Sequence, residues 1–258
     1  MFGFLIKKAF FDLWDNFLPA ILINLGFIAL LALPVTLPAS LAPLSTLLAL
    51  AVMIAGALLA VVYTGAAFEL SRRITDFQSL EWSMVLPALR SAWKPALLVG
   101  TIGLVHGFLL SVALPVYTSF NNALGLFALA LLFWMSVLWW ITVPWFFPVV
   151  QRLNARPGTA LKKSFILTFD NTGLTVGLVI GALLIVLLSF LTAFLLPGIA
   201  GLAIWYQTAL RLRMYKYDYL DQHPDANRKE IPWDALLLDD RERVGKRSLR
   251  GMIFPWKD

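Results

Sequence analysis

The 258-residue chain has no cysteine and only two histidines. Disulfides and thiolate metal sites are thereby excluded, and too few ligands are left for a metal centre. Charge is scarce as well: 14% of the residues are Asp, Glu, Lys or Arg, against about 25% in an ordinary soluble domain. Catalytic signatures are missing too, with no GxSxG, no HExxH, no glycine-rich phosphate loop and no Cys/His cluster. The six acids of residues 1–215 all fall at or beyond the ends of apolar runs, whereas general acid–base chemistry needs groups that converge on one site. Neither an enzyme nor a cofactor is expected.

What is present is apolar: 60% of the residues are hydrophobic and the mean hydropathy is +0.78. Runs of this length with so few charges place the chain in lipid. The net charge of +6 does not point to nucleic acid, because of where it sits. Residues 1–215 hold 12 Lys/Arg against 6 Asp/Glu, while residues 216–258 hold 9 against 9. The excess belongs to the membrane part, where the positive-inside rule accounts for it. Lys7 and Lys8 precede an apolar run, and Ser40-Leu41-Ala42 has the small-residue form of a cleavage site. The run is longer than the roughly 7–15 residues of a secretory h-region and recurs at 173, so it reads as a retained first span.

Six spans are predicted, at about 17–38, 44–67, 95–117, 123–148, 173–196 and 198–214, each near the ~20 residues that cross hydrocarbon. Without period-2 alternation these are helices rather than barrel strands. The turns near Pro38–Pro43, Thr118–Asn122 and Pro197-Gly198 carry no charge, and every basic residue of the membrane part lies on the other side. The fold class is therefore all-α: a polytopic membrane protein of six helices in three outward-pointing hairpins, with both termini cytoplasmic. Pro144 and Pro148 are expected to bend or end the fourth span.

A unit recurs along the chain. Lys7-Lys8-Ala9-Phe10 followed by Trp14-Asp15-Asn16 matches Lys162-Lys163-Ser164-Phe165 followed by Asp170-Asn171, 155 positions later. Each copy reads as an amphipathic cytoplasmic surface helix leading into a span. Asp15 and Asp170 are read first as caps of the spans they precede, and second as a symmetric pair of binding carboxylates. A degenerate middle copy has Arg90-Ser91-Ala92-Trp93, with Lys94-Pro95 in place of Asp-Asn. The transmembrane domain, 1–215, thus divides into pseudo-repeats of about 1–75, 76–156 and 157–215. Residues 216–258 form a charged cytoplasmic tail ending in a basic-aromatic stretch. Within it Arg247, Arg250, Phe254 and Trp256 are candidate anchors to the membrane or to a partner.

Helix packing is assigned to Gly103 and Gly107 on the third span and to Gly173, Gly177 and Gly181 on the fifth, inside the bundle or between copies. Trp145 and Trp205 suit the cytoplasmic interface, while Trp139 and Trp140 lie deeper. Ionisable groups within spans are the default functional residues, and His106 is the one on offer. Two readings stand: a relay or ligand-binding group, or a neutral ring bonded to a hydroxyl on a neighbouring helix. Asn24 and Gln207 are read as interhelical hydrogen-bonding partners. In a permease, His106, Asn24 and Trp139 would line the substrate cavity.

Leu33-Pro34-Val35-Thr36 at the end of the first span resembles the LP-x-T element of the YesL-like family of bacterial membrane proteins. Phe147-Pro148-Val149-Val150 through Leu161-Lys162-Lys163-Ser164-Phe165 resembles that family's second half. The likeness covers most of 1–200 and leaves the 43-residue tail outside. It implies a bacterial inner-membrane protein of unassigned activity, from a family associated with carbohydrate uptake, and transfers no catalytic residue. The expected function is that of a non-enzymatic accessory or scaffold subunit of a transport or envelope system. The alternative is a permease or channel for a small uncharged solute. Expected partners are the lipid bilayer, a transporter or other membrane protein, or a second copy, and no nucleic acid.

Overall fold

A computed structural model describes residues 1–228 and 230–247. Among these residues there are helices and turns but no strand. A surface helix, α1 (Phe2–Asp15), leads into α2 (Phe17–Leu41), which turns back through α3 (Thr46–Thr75). Next come α4 (Val85–Ser119) and α5 (Ala123–Thr142), then the short α6 (Phe146–Arg152) and a second surface helix, α7 (Pro157–Asp170). The hairpin of α8 (Thr172–Leu191) and α9 (Gly198–Gln222) follows, and after it the short tail helices α10 (Trp233–Leu236) and α11 (Leu238–Val244).

Both surface helices end by the same device, and it is not the one expected. Asp15 and Asp170 do not cap the following spans. Instead the next residue, an asparagine, leaves helical geometry and returns its side-chain amide to a carbonyl four residues back. Asn16 Nδ2 donates to Asp12 O at 2.9 Å, and Asn171 Nδ2 to Leu167 O at 3.2 Å. At α1 that satisfies a carbonyl the helix end would otherwise leave open; at α7 it adds to the bond that the Asn171 backbone N–H already makes to the same carbonyl. Where Lys94-Pro95 replaces Asp-Asn no break forms, and α4 runs through unbroken for 35 residues. Pro144 falls in a 3-10 turn, Val143–Trp145, that closes α5 at Thr142. Pro148 falls in the first turn of α6, where its missing N–H costs nothing.

Among the described residues five helical stretches are long and apolar enough to cross a membrane: Phe17–Leu41, Thr46–Thr75, Trp82–Ser119, Ala123–Arg152 and Thr172–Leu191. The expected sixth span, α9, is not among them. It carries Gln207, Arg211 and Arg213, and it is the most enclosed helix of the fold, packed against α1, α2, α3 and α8. A helix surrounded by protein need not be apolar all round. It also does not begin at the far side of the bundle. Asn24 Nδ2 donates to the carbonyls of Leu195 (2.9 Å) and Pro197 (3.0 Å), and Asn24 Oδ1 accepts from the Ala200 N–H (2.9 Å). Asn24 lies seven residues into α2, about 10 Å from Phe17 and about 25 Å from Leu41 at 1.5 Å per residue. The α8–α9 turn is therefore held level with Asn24. Gly198 has a φ of +56°, and a Cβ there would collide with the Asn24 amide, so glycine is required on both counts. Helix α9 also continues unbroken past residue 215, so the first residues of the charged tail extend this central helix.

The core gathers around α9 at the end of the bundle that carries the basic residues, with Leu5, Phe68, Trp145, Phe146, Ile204, Leu210 and Leu237 all buried. Trp145 and Trp205 sit in this core rather than at the lipid interface, and Trp205 Nε1 donates to Leu178 O at 3.0 Å. The distal parts of α4 and α5 are the reverse: Phe108, Leu124, Phe127, Trp134 and Trp140 are exposed, as lipid-facing side chains should be.

Replacing Asn24 by alanine removes three hydrogen bonds at a buried helix start. Unpaired buried groups cost about 1–3 kcal/mol each, so the detergent-solubilised variant should unfold at a distinctly lower temperature by circular dichroism. An unchanged midpoint would show that the α8–α9 turn is held by packing alone.

Candidate functional site

The polar groups of the chain converge, but at the basic end of the bundle rather than within it. Asp76, just past the end of α3, takes Arg152 of α6 at 3.0 Å and Arg211 of α9 at 2.5 Å. Arg211 extends to Asp240 of α11 at 2.9 Å, and Asp240 is 1% exposed. Arg152 also donates to Thr75 Oγ1 (2.6 Å) and Gln207 Oε1 (2.9 Å). Gln207 Nε2 closes the set on Phe68 O (3.1 Å) and Gln151 Oε1 (2.6 Å). Beside it Glu69 pairs with Arg72 at 2.7 Å and Arg73 at 3.6 Å.

Phe77 organises the cations of three elements. Its backbone has a φ of +59°, which turns its ring toward Lys8 Nζ at 3.6 Å, Arg243 at 5.2 Å and Arg211 at 5.7 Å. Cations over an aromatic face are attracted by its quadrupole, the more so when desolvated. Lys8 is fully buried and pairs with Asp12 at 3.0 Å. Burial lowers the Lys8 amine against the pull of Asp12, and burial raises the Asp12 carboxyl to about 6 despite Lys8. Asp76 goes the other way: burial pushes it up, but the guanidiniums of Arg152 and Arg211 outweigh burial and hold it below the usual carboxylate range.

Of the expected membrane or partner anchors, Arg247 is engaged by the chain itself. Arg247 forms a two-pronged pair with Asp15 (2.9 and 2.8 Å) and stacks over Phe11 at 4.4 Å. Lys7 Nζ donates to Gly245 O at 2.9 Å. Arg250, Phe254 and Trp256 lie outside the described residues. Leu237 and Val244 are buried, so α11 docks on the inner end of the bundle through apolar contacts as well as through Asp240.

The three candidate substrate-binding residues do not share a site. Asn24 is committed to α9. His106 and Trp139 do meet, with ring centroids 6.4 Å apart, in a cleft of about 730 Å³ between α3, α4, α5, α8 and α9. Its walls are apolar, with Thr64, His106 and Tyr206 the polar exceptions besides the indoles. His106 Nε2 is buried with no hydrogen-bond partner in the chain, so the hydroxyl expected on a neighbouring helix is not there. Gly103 and Gly107 line the same cleft, and no side chain or neighbouring helix comes within 4 Å of a Cβ built on either. On α8 only part of the glycine run packs: Gly181 lies under the Trp205 ring and Gly177 under Phe2, whereas Gly173 faces open space. Among the described residues no three His, Asp or Glu side chains group as metal ligands.

Comparison with known protein families, with curated proteins and with solved structures found no match.

Two outcomes follow for this end of the molecule. Asp12 is raised in the folded state, so its contribution is full below about pH 4 and is lost as pH rises through about 6. Asp76, being lowered, contributes above its ordinary range and loses that only in stronger acid. Between pH 4 and 6 the wild-type protein should therefore lose stability relative to Asp12→Asn, read as diverging melting temperatures; parallel curves would dissociate Asp12 from the transition. Arg211→Gln strips Asp240 of its partner and should free α11. Limited proteolysis of the membrane-embedded protein should then cut between residues 223 and 247 at least tenfold faster than in wild type.

Proposed function

We propose that the protein is a non-enzymatic integral protein of a bacterial inner membrane, serving as an accessory or scaffold subunit with its cytoplasmic face as the contact side. In this reading α2–α5 make two complete hairpins and α8–α9 enters and returns, which keeps both termini in the cytoplasm. The basic residues at that end agree with the positive-inside rule. The observation that carries the proposal is the ion-paired cytoplasmic platform, in which α3, α6, α9 and α11 are locked through Asp76, Arg152, Arg211 and Asp240. Its carboxylates are occupied by cations rather than aimed into a cavity. That disposition suits a rigid docking surface better than acid–base chemistry.

The permease alternative is supported less. A small uncharged polar solute needs polar lining down to the membrane midplane. The His106 cleft offers two hydroxyls, one imidazole and the indoles of Trp139 and Trp140 in an otherwise apolar wall, and Asn24 is absent from it. The discriminating experiment has two arms. Affinity purification from native membranes in mild detergent should recover a membrane-protein partner in a fixed ratio. Proteoliposomes containing the purified protein should be no more permeable to small polyols than empty liposomes. Recovery of the protein alone, together with raised permeability, would reverse the assignment.

A further inference from the structure

A second recess lies at the start of α8, where α9 emerges from the bundle. Arg213 and Lys216 of α9 and Arg228 beyond it line a pocket of about 430 Å³, together with Gly173 and Leu174 at the start of α8 and Trp233 of the tail. Among the described residues none of the three cations takes part in an ion pair, whereas Lys8, Arg72, Arg152, Arg211 and Arg247 of the same end do. Arg213 Nε is buried and has no hydrogen-bond partner. The nearest carboxylate, Asp170, acts on Arg213 and Lys216 only at a distance, and its own oxygen accepts from the Tyr217 hydroxyl at 2.8 Å. The start of α8 faces the same pocket. No side chain caps it, and Gly173 leaves its first-turn N–H groups unshielded. Three cations, an unused buried donor and a helix start together make a place for an anion.

This cationic pocket adjoins an apolar one. A groove of about 640 Å³ lies between α1, α8 and α9, and the two recesses share Phe2 and Gly177. The groove follows α8 from Gly177 to Leu191, about 21 Å at 1.5 Å per residue, with Ile6 and Phe10 of α1 on one wall and Leu184 and Leu188 on the other. Its volume is within the usual range of ligand cavities. The depth also fits. Gln207 is level with Phe68 and Gln151, where the apolar parts of α3 and α6 end. Arg213 is six residues further along α9, about 9 Å, near the outer edge of the headgroup layer.

We propose that the two recesses form one binding site for an anionic glycerophospholipid of the cytoplasmic leaflet. Its phosphate lies among Arg213, Lys216, Arg228 and the start of α8, and one acyl chain occupies the groove between α1 and α8. A soluble phosphate compound would use the first recess and leave the second unfilled. The adjacency of the two recesses, which share Phe2 and Gly177, is what selects a lipid. This site depends on the membrane placement of the chain and not on the scaffold role.

The full-length protein in non-ionic detergent, titrated with phosphatidylglycerol and read by native mass spectrometry, should retain one lipid at concentrations where phosphatidylcholine is lost. Arg228→Gln, an exposed position that leaves the fold untouched, should weaken retention several-fold, and the Arg213→Gln/Lys216→Gln/Arg228→Gln variant at least tenfold. Ile6→Trp, on the groove wall, should weaken it with every cation in place. Equal retention of phosphatidylcholine would overturn the charge assignment. Glycerol 3-phosphate competing as well as the lipid would show a headgroup-only site and overturn the acyl-chain part. Unchanged retention in both Arg228→Gln and Ile6→Trp would remove the site altogether.

Discussion

Arg211 holds its guanidinium between two carboxylates, Asp76 at the end of the membrane bundle and Asp240 on the tail. Neither acid is well solvated, so neither tolerates being ionised alone. Buried ion pairs bring little net stability over a well-packed apolar contact, because desolvation consumes most of the Coulomb energy. Breaking one is another matter, since the charge left behind is stranded. The consequence is specificity of arrangement: α11 has one place to sit, and α6 and α9 have one register relative to α3. The apolar contacts of Leu237 and Val244 supply adhesion there, and the charges decide where it acts. Lys8 and Arg243 extend the same logic to α1 and to the far end of α11 through a shared aromatic face, that of Phe77.

That constraint explains why the last helix differs from the other membrane helices. A helix exposed to lipid must be apolar, whereas one wrapped by α1, α2, α3 and α8 is free to carry Gln207 and Arg211. It must then find partners for them inside the protein. Its N-terminal backbone groups face the same requirement deeper in the bundle, and Asn24 meets it from α2. A single asparagine in an otherwise apolar span is thus accounted for by the neighbouring helix start, with no ligand involved.

Much of this was legible in the residues. Long apolar runs without alternation indicated helices, and the shared Lys-Lys and Asp-Asn spacing located α1 and α7 together with the breaks after them. What misled was counting apolar residues without knowing their surroundings. Residues 198–214 look like a short span, yet they enter only to the depth of Asn24, because their neighbours are protein. Asp15 and Asp170 looked like caps because acids favour helix starts, but the adjacent asparagines do the work from the preceding helix. The convergence of Asp76, Arg152, Arg211 and Asp240 could not be read at all. These residues are separated by as many as 164 positions, and no local pattern encodes which helix ends meet. Arg213 was visible only as part of the basic excess of residues 1–215 and Lys216 only as one charge of a balanced tail, and their lack of carboxylate partners is a three-dimensional fact.

The two apolar recesses flanking α9 differ in what their polar atoms ask for. In the His106 cleft one imidazole nitrogen is unpaired, the walls are otherwise apolar, and no charge marks either end. Such a cleft fills with hydrocarbon and discriminates weakly among occupants. The α1–α8 groove ends at three cations and an uncapped helix start, so an occupant must be amphiphilic, must be negative at one end, and has its orientation set. Charge at one end of an apolar channel turns general lipid contact into recognition. The same surface helix that lines this groove, α1, carries Lys7, Lys8 and Asp15, each of which engages the loop before α4 or the tail. Occupancy of the groove and docking of the tail therefore act on one helix from its two faces, and that helix is the physical link between the apolar bundle and its ion-paired end.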